Sequence, residues 1–247
     1  EKNNFIQLEP NSKKWFKKLI GGRELIRNEM RYCLWLKDIQ PNELIKLKKV
    51  LEKVSTVKTK RLEAKDKGTH KLADRPHEFR DLNNPNSYIA IPKTSSENRK
   101  YIPMAYYNSD FIPSDSIRLI NEGNIYHFGI LNSIMHMTWV KYTCGRLKSD
   151  YRYSKDLVYN NYPWPKELSE KNKNNVEEKA QKILDVRAEF TNSSLADLYH
   201  PLTMPPKLTK AHNELDKAVD KCYRSQGFKN EASRIEYLFG LYKEYTV

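Results

Sequence analysis

A chain of 247 residues with 38% hydrophobic side chains, among them 16 Tyr, 8 Phe and 4 Trp, can bury a core as one large domain or two modest ones, which excludes a disordered tail. Its 44 Lys and Arg against 31 Asp and Glu leave a net charge of +13, which favours a polyphosphate partner, nucleic acid foremost, over the plainer alternative of a basic ribosome-associated surface. Cys33, Cys144 and Cys222 are odd in number and far apart, which argues against a disulfide framework or a CxxC metal clip and fits a reducing cytoplasm.

The chain begins Glu1-Lys2 rather than with Met, as a piece of something longer would, and the N-terminus has no signal-peptide core. No stretch approaches the roughly 20 apolar residues of a membrane span. Tyr32 to Leu36 reads as a short buried strand. Pro41 then opens a helix carrying Leu44, Leu47, Val50, Leu51 and Val54 on one face. Between Lys58 and Arg80 the chain is crowded with cations, including Arg61, Lys65, Lys71 and Arg75. They form either a solvated face or a surface lying against phosphates, and the local excess of positive charge favours the second.

Tyr88–Ile91 and Tyr101–Tyr106 look like paired strands flanking a polar tip that holds Ser95, Ser96, Asn98, Arg99 and Lys100, with Pro92 and Pro103 confined to edge or irregular positions. Ile117–Ile120 is a further short apolar run. Tyr126 to Tyr142 places Ile130, Ile134, Met137 and Val140 at helical offsets and reads as a largely buried helix. On it, His127 and His136 are expected to be hydrogen-bonded rather than metal-bound, and Met135 and Met137 to be core filler. Past the stiff Tyr162-Pro163-Trp164-Pro165, the composition turns to Lys, Glu and Asn, with amphipathic helices around Val176–Arg187, Leu208–Tyr223 and Ala232–Tyr245.

No phosphate-cradling glycine loop occurs, which disfavours a nucleotide-driven motor, and the Asn/Asp-Pro-Pro-aromatic loop of amino-methyltransferases is missing too. Glu63-Ala64-Lys65 matches the Glu-x-Lys of many nucleases, but an exposed helix turn is the commoner meaning of such a tripeptide. The densest polar run is Gly145 to Ser154. There Arg146, Lys148, Ser149, Tyr151, Arg152 and Tyr153 offer the forks, short donors and phenols that a phosphate clamp needs, the alternative being an internal network of Asp150 with Arg146 or Arg152.

The strings Tyr126 to Leu131, Met135 to Val140, Cys144 to Ser154 and Val158 to Pro165, with Arg31 to Leu36, Lys71-Leu72-Ala73, Ile91 to Pro103, Leu195 to Tyr199, Pro201 to Pro206 and Ala211-His212 around them, resemble the C-terminal part of MmeI-like (type IIL) restriction-modification enzymes and related class I DNA methyltransferases. The resemblance implies a target-recognition domain followed by a small helical domain. It further implies specific binding of double-stranded DNA, with an adenine presented for N6 methylation by an upstream methyltransferase domain of the same polypeptide that uses S-adenosylmethionine.

The expected architecture is therefore α+β, with a recognition domain at 1–165 and helices at 166–247, or both packed as a single domain. No catalytic residue and no cofactor are expected in this chain. Arg61, Lys65, Lys71, Arg75 and the Arg146–Tyr153 run are expected on the DNA backbone, and Ser95, Ser96, Asn98, Arg99 and Lys100 are candidates to read bases in the major groove. A metal-dependent nuclease fragment or a general nucleic-acid-binding module is the alternative.

Overall fold

The computed structural model describes residues 1–246. In chain order the first elements are α1 (Lys2–Leu8), β1 (Phe16–Ile20), α2 (Gly22–Arg27), β2 (Arg31–Leu34), α3 (Pro41–Leu44), α4 (Lys48–Leu62) and α5 (Lys67–Lys71). Next come β3 (Ser87–Pro92), β4 (Thr94–Ser95), β5 (Ala105–Asn108), β6 (Phe111–Pro113), β7 (Ile117–Asn121), α6 (Ile125–Leu131) and α7 (Ile134–Thr143). After the hairpin β8 (Gly145–Leu147) and β9 (Asp150–Arg152), the chain is helical through α8 (Glu170–Ala188), α9 (Leu195–Leu198), α10 (Pro206–Tyr223) and α11 (Glu231–Thr246). The architecture is α+β, with helices and three separate three-stranded sheets.

Two compact units share these elements. The first comprises Glu1–Ile20, Met30–Asn84 and Ser109–Pro113. Its sheet, β2-β1-β6, pairs β1 antiparallel with β2 and parallel with β6. Leu36, Ile39, Leu47 and Val50 form its core, with Phe5, Trp15, Leu34, Leu44 and Val54 packed around them. The helix expected from Pro41 is broken at residues 45–47, and α4 starts afresh because the Glu9 carboxylate accepts the N–H groups of Lys49 at 3.1 Å and Val50 at 3.0 Å. That remote anion satisfies donors and the positive end of the helix dipole, a role no neighbouring residue could announce.

The second unit comprises Gly21–Glu29, Pro85–Asn108 and the chain from Ser114 on, so its packing crosses residue 165. Its sheet has β3 in the middle, antiparallel to both β5 and β7. The expected pairing of Tyr88–Ile91 with Tyr101–Tyr106 is realised only in part. Ile89 faces Tyr106 and Ala90 faces Ala105, whereas residues 101–104 leave the sheet. Pro92 ends β3 and Pro103 lies outside any strand. The helix expected over 126–142 is two helices, because Asn132 and Ser133 interrupt it. Asn124 caps α6 and Ser133 caps α7, each accepting a backbone N–H three residues on. The buried Asn132 donates to the Phe128 carbonyl at 2.9 Å.

Helix α6 approaches α8 closely because Gly129 has no side chain. A Cβ there would stand 2.7 Å from Val176 Cγ1 and 3.0 Å from the Ala180 Cβ. Gly129→Ala is therefore expected to destabilise the protein by about 1–3 kcal/mol despite its better helix propensity. Chemical denaturation measures it, and an unchanged midpoint would mean that α8 moves away freely.

Candidate nucleic-acid interface

The third sheet brings together two runs that lie some fifty residues apart in the chain. In the order β4-β9-β8, Thr94 faces Arg152 and Ser95 faces Tyr151, while across the hairpin Arg146 faces Tyr151 and Leu147 faces Asp150. The Tyr153 N–H extends the pairing by donating to the Lys93 carbonyl at 2.8 Å. Two residues, Lys148 and Ser149, turn the hairpin, and Lys148 takes the left-handed conformation (φ 56°) that such tight turns demand. The polar tip at 93–100 and the Gly145–Tyr153 run thus form one surface feature.

Within it, side chains alternate. Asp150 and Arg152 point outward, whereas Tyr151 and Tyr153 are buried at 4% and 2% exposure. The two tyrosines are therefore structural, which corrects the expectation that their rings pack on a ligand. The strict alternation of Asp150-Tyr151-Arg152-Tyr153 is the signal in the sequence that could have shown it. Tyr153 pairs its hydroxyl with Nε2 of the buried His136 at 3.0 Å, and Trp139 of the same helix donates to the Val158 carbonyl at 3.0 Å. Burial holds the His136 imidazole neutral, pushing its pKa down to about 3. His127, only partly buried, accepts the Asn124 N–H at 3.3 Å. Met135 and Met137 are in the core, as expected.

Arg146 projects to the same face as its cross-strand partner Tyr151, and its guanidinium covers that ring at 4.1 Å from the centroid. It donates to the Ser149 carbonyl at 2.9 Å and stands 4.0 Å from Glu97. Stacking and this one bond orient the fork while leaving other N–H groups for a ligand. Lys148, Ser149 and Arg152 are exposed. In the tip, Asn98 and Lys100 are exposed and Ser96 is partly so, but Ser95 is 3% exposed and faces inward, which removes it from the surface that a base edge could reach. Arg99 is half-buried, and its pKa is lowered by that burial against the opposing field of Asp150. Asp150 Oδ1 also accepts the Glu97 N–H at 3.4 Å, the internal tie between tip and hairpin.

The earlier cations belong to the first unit and differ among themselves. Arg61 donates to the carbonyls of Leu72 at 2.8 Å, Arg75 at 2.8 Å and Glu78 at 2.7 Å. Three carbonyls occupy its fork, so its work is to shape the 72–78 turn, a correction to the phosphate role expected of it. Arg75 pairs with Glu78 at 2.7 Å. Lys65 and Lys71 are exposed. Glu63 follows the end of α4, and among the described residues no three His, Cys, Asp or Glu side chains converge as metal ligands would, so the geometry lends the nuclease alternative no support. Among the described residues no helix is long and apolar enough to cross a membrane. Gly227 is the one described glycine with a positive φ, and no glycine-rich turn is present that could cradle a nucleotide cofactor.

The family model of the MmeI target recognition domain matches residues 1–166, and that of the MmeI C-terminal domain matches residues 168–247. DNA methyltransferase A of Bacillus subtilis (strain 168) is 45% identical over 245 residues, which cover 99% of this chain and 27% of that protein. A solved structure of the type IIL restriction-modification enzyme MmeI in complex with DNA matches with a TM-score of 0.96 at 42% identity, covering 99% of this chain and 33% of that one. The chain thus spans about a third of the length of these relatives or less.

Proposed function

We propose a function on the premise that this chain belongs to the MmeI family, with that family's target recognition domain followed by its C-terminal domain. The chain is the sequence-specific duplex-DNA recognition module of a larger S-adenosylmethionine-dependent DNA adenine-N6 methyltransferase, acting in the cytoplasm in restriction-modification or phage defence. It positions the target base for a catalytic domain that lies upstream in the same polypeptide and holds the cofactor. The MmeI structure contains DNA, and a curated relative is a DNA methyltransferase nearly four times the length of the matched region, which supports both the ligand and the upstream domain.

One observation carries the reading: the small β4-β9-β8 sheet joins an outward cationic hairpin to a polar tip. Arg146, Lys148, Ser149 and Arg152 hold phosphates, and Lys65, Lys71 and Arg75 of the first unit also bind the DNA backbone. Ser96, Asn98, Arg99 and Lys100 read base edges, Arg or Lys on guanine and Asn on adenine. The domain division that goes with this is recognition at 1–165 and helices at 166–247.

In the full-length parent, Arg146→Ala, Lys148→Ala and Arg152→Ala are each expected to weaken cognate and random duplexes alike. Each should make the slope of log affinity against log salt shallower by about 0.9 for every phosphate no longer neutralised. By contrast, Asn98→Ala or Arg99→Ala should relax one position of the recognised sequence at a cost of about 1–3 kcal/mol. A triple hairpin variant with wild-type affinity and salt slope would end the clamp assignment.

A further inference from the structure

Residues 101–104, which connect the tip to β5, form no strand, yet all four are buried, Tyr101 at 1% and Met104 at 0% exposure. A segment without sheet partners must be held by something else. At its start, the Tyr101 hydroxyl donates to Asp216 Oδ2 on α10 at 2.6 Å, and its ring stacks on His212 with centroids 4.0 Å apart. Just before it, Lys100 Nζ reaches Asn213 Oδ1 at 3.3 Å. At its end, the Met104 carbonyl accepts from Arg187 of α8 at 2.7 Å. Arg187 is itself fixed by Tyr199 and by Asn132 Oδ1 at 3.3 Å.

Asp216 does more than hold the tip. Its other oxygen accepts the N–H of Ile134 at 2.7 Å, the first residue of α7, and α7 runs to Thr143, two residues short of the hairpin. One carboxylate, 8% exposed, therefore ties together both chain segments that meet again in the β4-β9-β8 sheet. An apolar residue of similar volume would avoid desolvating a charge but would leave the Tyr101 hydroxyl and the Ile134 N–H without this acceptor. What the carboxylate adds is direction, since two short bonds fix both partners in angle as well as distance.

We propose that Asp216, through Tyr101 on one side and Ile134 on the other, is a specificity-positioning residue that sets the tip at 93–100 against the Arg146–Arg152 hairpin. The proposal rests on the base-reading role given to the tip. It makes the C-terminal helices a brace for sequence reading rather than an appendage of the recognition domain.

The test uses the full-length parent with Tyr101→Phe, which removes only a hydroxyl, with Asp216→Ala, and with Asp216→Asn, whose amide can accept from Ile134 and still partner the Tyr101 hydroxyl. Affinity for cognate and random duplexes, the salt slope and hydrogen exchange at 93–100 are measured together. Tyr101→Phe and Asp216→Ala are expected to lower the cognate-to-random ratio about tenfold, leave random binding and salt slope unchanged, and speed exchange in the tip. Asp216→Asn should restore the ratio.

Equal losses on both duplexes, or an unchanged ratio with unchanged exchange, would overturn the proposal, because a merely structural residue changes the folded fraction and nothing else. Asn98→Ala and Arg99→Ala run alongside. If they alter the sequence selected from random duplexes while Tyr101→Phe does not, the brace fails and the base-reading role stands. If they alter nothing, the base-reading role fails and the brace with it.

Discussion

Arg234→Ala is expected to destabilise the protein by about 3–5 kcal/mol, a large share of the stability of a domain of this size. Arg234 on α11 grips Asp220 on α10 with two bonds, Nε to Oδ1 at 2.9 Å and Nη2 to Oδ2 at 2.6 Å. Both side chains are nearly closed to water, at 14% and 7% exposure. Removing the cation leaves a desolvated carboxylate with no counter-charge, and that penalty exceeds what the pair contributed when intact. The double variant Asp220→Asn with Arg234→Leu is expected to recover most of the loss, because no unpaired charge remains. Urea unfolding of both variants decides it. A loss below about 1 kcal/mol for Arg234→Ala would show that α11 peels away and lets water reach Asp220.

The second large effect is acid lability. His136 and His212 are buried and neutral, the former with its pKa pushed down to about 3 by burial, the latter held well below the ordinary range by burial and then by the charges of Arg187 and Lys100. In the unfolded chain both titrate near the ordinary 6.5. A depressed folded value contributes stability that is present above pH 6.5 and is lost as the pH falls, at about 1.4 kcal/mol per pH unit for each histidine.

Asp216 works in the opposite sense. Burial raises its pKa from 3.8 to about 6, against the hydrogen bonds from Tyr101 and Ile134 and the charge of Lys100, with Asp220 adding to the rise. A raised folded value gives stability that is present below 3.8 and is lost as the pH rises through about 6. Acidification therefore returns part of what the histidines lose. Between pH 6.5 and 5 the net loss is expected to be about 2 kcal/mol. Thermal or urea midpoints across that window, compared with the His136→Gln, His212→Gln double variant, isolate the cause. An equally steep profile in the double variant would place the acid sensitivity elsewhere.

His136 also shows how much of the site a linear reading can reach. Its burial and hydrogen bonding are legible from the apolar run around it, but its partner, Tyr153, is expected on the surface and instead anchors the hairpin from below. Likewise, the crowding of cations at 58–80 is plain, yet charge density alone cannot separate Lys65, which faces solvent, from Arg61, whose fork is filled by three carbonyls up to 17 residues away. The tip and the hairpin are each legible as polar features. Their union is not, since it depends on β4 pairing with β9 rather than folding back with β3 and β5.

Local order determined what has a local cause. The helices α8, α10 and α11 follow from apolar residues at helical spacing, β3 and β7 from short apolar runs, and membership of the MmeI family from strings of residues long enough to mark it. Tertiary structure decided where helices begin and which side chains stay free. Glu9 starts α4, Arg187 bonds the Asn132 that parts α6 from α7, and Asp216 links Tyr101 to Ile134 across 115 and 82 residues. A buried donor or acceptor must find a partner wherever the folded chain places one, and separation along the chain carries no record of that choice.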